Sequence, residues 1–290
     1  MSPSDRPTAG RESPQGVLPD PTAADRVRQT VVALGALLAI LGAAVGSGAF
    51  GGQPIAEAAG GALAADATVV APGTPAFSIW SVIYAGLVLF AVVQALPGRA
   101  ADPRMRSVAW WILVSMLLNA AWIGVVQLGL LRLSVVVIAL LVVVLSVVLV
   151  RLVRQQPTRW LDAAATDVPV GLYLGWVCVA TIADVAATLA DAGAGDLVLG
   201  ATGWGIVLAV VAAVLVVAIA VAAAPRPAVA VPVGLAAGWG LGWIAVARAQ
   251  GELMDSGVAF AAGTAAAIAV LGPILVVLVR RREAGPRAAL

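Results

Sequence analysis

The chain contains no histidine and no lysine, it has a single cysteine, and only 11% of its 290 residues are charged. Without histidine it lacks the commonest metal ligand, the usual axial ligand of haem and the usual general base. One cysteine cannot form an intrachain disulfide, and Cys178, set inside an apolar run, reads as a packing residue. A metal enzyme is therefore the least favoured class, and no metal site is expected. The sequence also lacks a Gly-rich phosphate loop, paired carboxylates within the apolar runs and a nucleophile–base pair. All seventeen basic residues are arginines, against fifteen acidic ones. They stand in ones to fours at the ends of apolar runs, which suits orientation in a bilayer and not the tracking of phosphates, so nucleic acid is not an expected partner.

What is present is apolar. Hydrophobic residues make up 62% of the chain and the mean hydropathy is +1.03, values that exclude a soluble domain and leave a polytopic membrane protein. About twenty apolar residues cross the ~30 Å of hydrocarbon as a helix. Eight such spans are read at roughly 30–50, 77–97, 108–128, 133–153, 168–190, 198–223, 228–248 and 258–279. The expected fold is an all-α transmembrane bundle. Residues 1–29 are polar and read as a disordered cytoplasmic tail, with a second short tail at 281–290. With both termini inside a cell membrane, fifteen arginines fall on the cytoplasmic side and two, Arg132 and Arg248, outside, the asymmetry expected of a multi-pass protein in this orientation.

Two connections carry further information. Residues 51–76 are rich in Gly and Ala, and they either fold over the outer mouth of the bundle or form a flexible linker. VPVGLYLGW at 168–176 and VPVGLAAGW at 231–239 agree at seven of nine positions, through duplication of a helix pair or through the chain's narrow alphabet. The proline in each suits a first helical turn, where its missing N–H is not needed. The small-residue pairs Gly42–Gly46 and Gly234–Gly238 suit close helix packing or a homodimer.

The fifth span holds the most informative pattern. Tyr173, Trp176, Ala180 and Asp184 are spaced three, four and four apart, so they form one stripe on a helix. An ionisable group such as Asp184 is expensive at membrane depth unless it faces a cavity or a partner. As an ion it calls for Arg132; as a neutral acid it can donate to Asn119. Asn119 and Trp122 share a face of the third span, and Trp80 and Tyr84 one of the second. Three such faces are able to converge on one pocket, although Trp122 and Trp176 also suit core filling and Asn119 a contact between helices. Thr181 is expected to bond its own backbone, and Trp110, Trp111 and Trp160 to sit at the membrane interface.

These motifs resemble the TspO/MBR family, the translocator or tryptophan-rich sensory proteins. The run Tyr173-x-x-Trp176-Val177-x-x-Ala180-Thr181-x-x-Asp184 resembles the family's last helix. Leu118-Asn119-Ala120-x-Trp122, followed by Arg132-Leu133, resembles its third helix and the turn into its fourth, and Phe77-x-x-Trp80-x-x-x-Tyr84 the start of its second. The resemblance covers about residues 30–190 and implies a five-helix bundle, with 191–280 as three additional helices. It further implies a pocket beneath the loop after the first helix, made by Trp80, Tyr84, Asn119, Trp122, Tyr173, Trp176, Ala180 and Asp184, that takes a tetrapyrrole (porphyrin or haem), a sterol or another flat apolar ligand. No resident cofactor is implied. Two positions depart from the family pattern: Pro75 stands where a lid Trp is common, which weighs against porphyrin-degrading enzyme activity, and Asp184 stands where Asn is usual.

The expected function is thus a membrane receptor, carrier or sensor for a flat hydrophobic ligand, with Arg132 as a candidate partner for an anionic edge. Two alternatives stay open at this stage. One is a proton-coupled secondary transporter using Asp184. The other is a scaffold that meets a partner membrane protein through Trp204, Trp239 and Trp243 of the last three spans.

Overall fold

The computed structural model describes residues 20–47, 53–194 and 198–284. Among them it contains eight long apolar helices and no strand. These are α1 (Ala23–Gly46), α2 (Ile79–Ala95, led in by a 3-10 turn at Thr74–Ser78), α3 (Pro103–Gln127), α4 (Leu131–Arg154), α5 (Trp160–Asp191), α6 (Gly200–Ala222), α7 (Pro227–Gln250) and α8 (Ser256–Ala284). The protein is a multi-pass membrane protein of the expected all-helical class. Residues 1–19 and 285–290 of the expected tails lie outside the described residues.

Helix boundaries depart from hydropathy where polar side chains find partners. α1 begins at Ala23, inside the segment read as tail, because Thr22 and Asp25 form a reciprocal capping box. α5 begins at Trp160, well before the apolar run. Asp162 and Asp167 lower the hydropathy of this first part, yet both are buried in ion pairs, with Arg99 and Arg104 respectively. Residues 163–167 form a π turn just ahead of Pro169. A proline cannot donate to the carbonyl four residues back and its ring crowds that carbonyl, and a wider turn relieves both. Pro169 is therefore not in a first turn. Nor is Pro232, which lies inside α7 because that helix starts at Pro227.

The arginines at this end do more than set orientation. Arg28 donates to the carbonyls of Arg99 and Ala100, Arg106 pairs with Asp25 at 2.5 and 2.7 Å, and Arg226 donates to the last carbonyls of α4, Leu152 and Val153. Together they tie α1, α3, α4, α5 and the α6–α7 turn into one polar layer.

Helix contacts define two groups. α1, α2, α5, α4 and α3 form a closed ring in that order, and α6, α7 and α8 pack on one another. α5 joins them through α7. Two thirds of the apolar window of α5 (67%) is buried, against 28% for α1, and Tyr173, Trp176 and Asp184 of its stripe are buried in protein.

The α5–α7 seam uses the echoed sequence. A Cβ on Gly171 would lie 2.6 Å from the Val229 carbonyl, and one on Gly175 would overlap the Val233 carbonyl. In the second copy, Gly234 and Gly238 meet Ala269, Ala266 and Val270 of α8 in the same way. Equivalent glycines of the two copies thus each admit the next helix, and the Gly234–Gly238 pair is used within the chain. Of the other pair, Gly46 packs on Ile123 and Gly42 faces open space.

Candidate functional site

α5 carries the site into the ring, and the neighbours of each residue come from the facing helices. Trp176 and Tyr173 are fully buried. Trp80 of α2 stacks on Tyr84, with ring centroids 5.2 Å apart, and meets Tyr173 and Trp176 edge-on at 5.6 and 6.3 Å. Phe77 packs edge-on against Trp176 at 5.7 Å. Such arrangements favour the ring quadrupoles and hold large flat faces at fixed angles. Tyr173 donates to the Ser115 carbonyl at 3.0 Å, and Asn119 donates its amide to the Tyr84 hydroxyl at 3.0 Å.

Asp184 sits further toward the opposite end from the arginine layer and is 1% exposed. It accepts from the Trp122 indole N–H at 3.3 Å and from the Ser134 hydroxyl at 2.8 Å. Neither expected partner is used. Arg132 is exposed and forms no ion pair among the described residues, and Asn119 is engaged with Tyr84. Residues 132 and 134 lie about 200° apart around a helix, so turning Ser134 inward turns Arg132 out. Thr181 bonds the Val177 carbonyl, as expected.

The loop after α1 is packed and not a free linker. Ile55, Ala58, Leu63, Val70 and Ala71 are buried over the end of the ring. Gln127 holds its near side through Gly46 and Gln53. Its far side is held by α7: Arg248 donates to the carbonyls of Ala65 and Thr68, Trp239 donates to Ala76 at 2.9 Å, and the Gly73 N–H donates to Trp243 at 3.3 Å. Two of the three tryptophans proposed as a scaffold face are thus engaged with this loop. Pro75, at the position of the missing lid Trp, is exposed in the 3-10 turn.

Beneath the loop a cavity of about 30 Å³ is lined by Leu63, Thr68, Phe77, Trp122, Trp176 and Ala180. That is room for a water molecule and far below the ~300–1,000 Å³ of a pocket for a drug-sized ligand. Two groups on its lining are buried without a partner, the Trp176 indole N–H and the Thr68 hydroxyl. The six-membered edge of the indole lies against Gly240 of α7.

Of the eight sequence-derived site residues, Trp122, Trp176 and Ala180 line the cavity, Trp80, Tyr84, Asn119 and Tyr173 pack in the adjoining cluster, Asp184 bonds Trp122, and Arg132 stands apart. Sequence reading missed Ser134, Thr68 and Arg248. Arg248 had a signal, being an outer-end arginine with no acid nearby on its helix, at a place where carbonyls are the natural acceptors.

Comparison with known proteins adds one match. A family model described as TSPO-like protein matches residues 30–275, a stretch that includes most of α6, α7 and α8. No curated protein and no solved structure matches the chain.

Proposed function

Because the chain belongs to the TSPO-like protein family, we propose that it is a membrane receptor or carrier for a flat apolar ligand, bound among α2, α3 and α5 beneath the 53–73 loop, and that it acts by binding and not by catalysis. The observation that carries this reading is Trp176, which lines a loop-covered cavity and whose N–H is a buried donor without an acceptor. A buried orphan donor is costly, and a ligand carbonyl, ether or ring nitrogen would satisfy it. The surrounding rings supply faces for a planar body. No cation lines the cavity, which favours burial of an uncharged edge. The propionates of a porphyrin would stay at the loop margin, and a sterol-like ligand would be buried whole. Since the closed cavity holds only a water, access requires the loop to lift.

Titration of the purified protein with protoporphyrin IX and, separately, with a sterol, followed by quenching of Trp fluorescence, tests this. Saturable binding weakened about fivefold in Trp176→Phe, which keeps a ring and removes a hydrogen bond worth ~1 kcal/mol, is the expected result. No saturation with either ligand, or binding indifferent to Trp176→Phe, would reject it.

Asp184 supports a second reading. It is a buried carboxyl with only neutral donors, suited to carry a proton. Proton-coupled flux abolished by Asp184→Asn is its signature. On the first reading the same substitution preserves porphyrin binding, because it removes a potential negative charge near the propionates.

A further inference from the structure

A larger groove lies away from the aromatic cluster, on the outer face of α3 and α4 at the arginine-rich end, with a volume of about 650 Å³. Val143, Val147 and Val150 form its apolar length, and Arg151, Arg154 and Gln155 form its head. From residue 143 to 154 the helix rises about 16 Å, close to the ~15 Å depth of one leaflet's hydrocarbon.

The head is partly organised. Arg151 donates to the Ser107 carbonyl at 3.2 Å and its guanidinium lies 5.1 Å from the centre of the Trp111 ring. That leaves most of its five N–H groups uncommitted. Arg154 is exposed and has no acid or carbonyl partner among the described residues. The Gln155 side-chain oxygen is buried without a donor. No acid lines the groove.

An apolar channel one leaflet deep, ending in two guanidinium groups with no acid beside them, matches an amphiphile with an anionic head. We propose that this groove is a binding site for an anionic phospholipid. Its acyl chain lies along the valines and its phosphate between Arg151 and Arg154. Guanidinium forks fit phosphate oxygens, and basic pockets at helix ends recognise anionic head groups. A second copy of the chain is the poorer occupant, because a two-fold contact would set the same unneutralised arginines against each other. The site is separate from the loop-covered cavity and does not rest on its occupant.

Native mass spectrometry of the detergent-purified protein, with phosphatidylglycerol or phosphatidylcholine of identical chains added, tests the proposal. The wild type should retain phosphatidylglycerol at lower concentration than phosphatidylcholine. At roughly fivefold per arginine, Arg151→Gln/Arg154→Gln should weaken retention of phosphatidylglycerol about twenty-fivefold. Val147→Trp, which fills the channel without changing charge, should also lose it. Arg282→Gln, at the same end but outside the groove, should leave it unchanged. Equal retention of the two lipids, an equal loss in Arg282→Gln, or a lipid-free dimer would overturn the proposal.

Discussion

At the scale of single residues, Asp184 shows how a carboxyl is kept inside a bilayer protein. It is placed where an indole N–H and a serine hydroxyl from two facing helices converge. Asp184→Ala strands the Trp122 N–H, at about 1–3 kcal/mol, while the Ser134 hydroxyl keeps the Leu131 carbonyl at 2.7 Å. Thermal unfolding in detergent should show a clear drop in Tm, with a smaller drop for Asp184→Asn, which keeps an acceptor. Equal loss in both variants would mean that charge, not hydrogen bonding, dominates. The importance of this residue was legible in the sequence, because a lone acid on an aromatic stripe is rare. Its partners were not. Ser134 stands in an uninterrupted apolar run, where a small hydroxyl carries no signal, and the adjacent arginine was the more conspicuous candidate. Trp176 was also legible as a position, but its unsatisfied N–H depends on what every neighbour does not offer.

At the scale of elements, the α5–α7 seam predicts a contrast between glycines. Gly175→Ala forces a methyl into the Val233 carbonyl and must separate two backbones, so a loss of more than ~1 kcal/mol is expected, as for other overpacked sites. Gly42→Ala meets nothing and should be neutral or stabilising by up to ~1 kcal/mol through helix propensity. Denaturation of the two variants side by side checks this. The clamp on the loop makes a second prediction. Arg248→Gln keeps polarity but cannot reach both Ala65 and Thr68, so amide exchange of residues 62–73 should rise severalfold while that of α3 stays the same. Exchange unchanged at the loop would assign its order to Gln127 and its own packing. Apolar run length located all eight helices, and it misplaced the starts of α1 and α5 because hydropathy counts an ion-paired aspartate as if it faced water.

At the scale of the whole molecule, arginine asymmetry predicts that the polar layer faces the cytoplasm. Cys178 is buried, so a cysteine introduced at Glu252 or at Glu283 can be labelled against a silent background. A membrane-impermeant thiol reagent applied to intact cells should modify the first and spare the second; the reverse pattern would invert the topology. The resemblance carried by the motifs implied that the first five helices form one bundle, and the position of the last three did not follow from it. Their placement rests on glycines that look unremarkable among thirty-one and matter only where two carbonyl backbones meet.

The grip of α7 on both α5 and the loop has a mechanical consequence. Trp176 in the wall lies against Gly240, while Arg248, Trp243 and Trp239 of the same helix hold the roof. A guest that raises the roof therefore pulls on a rod that also braces the wall, and the far side of that rod is seated on α8. If the chamber takes a guest as proposed, displacement of the roof would reach α8 through α7, at a surface that the guest never touches.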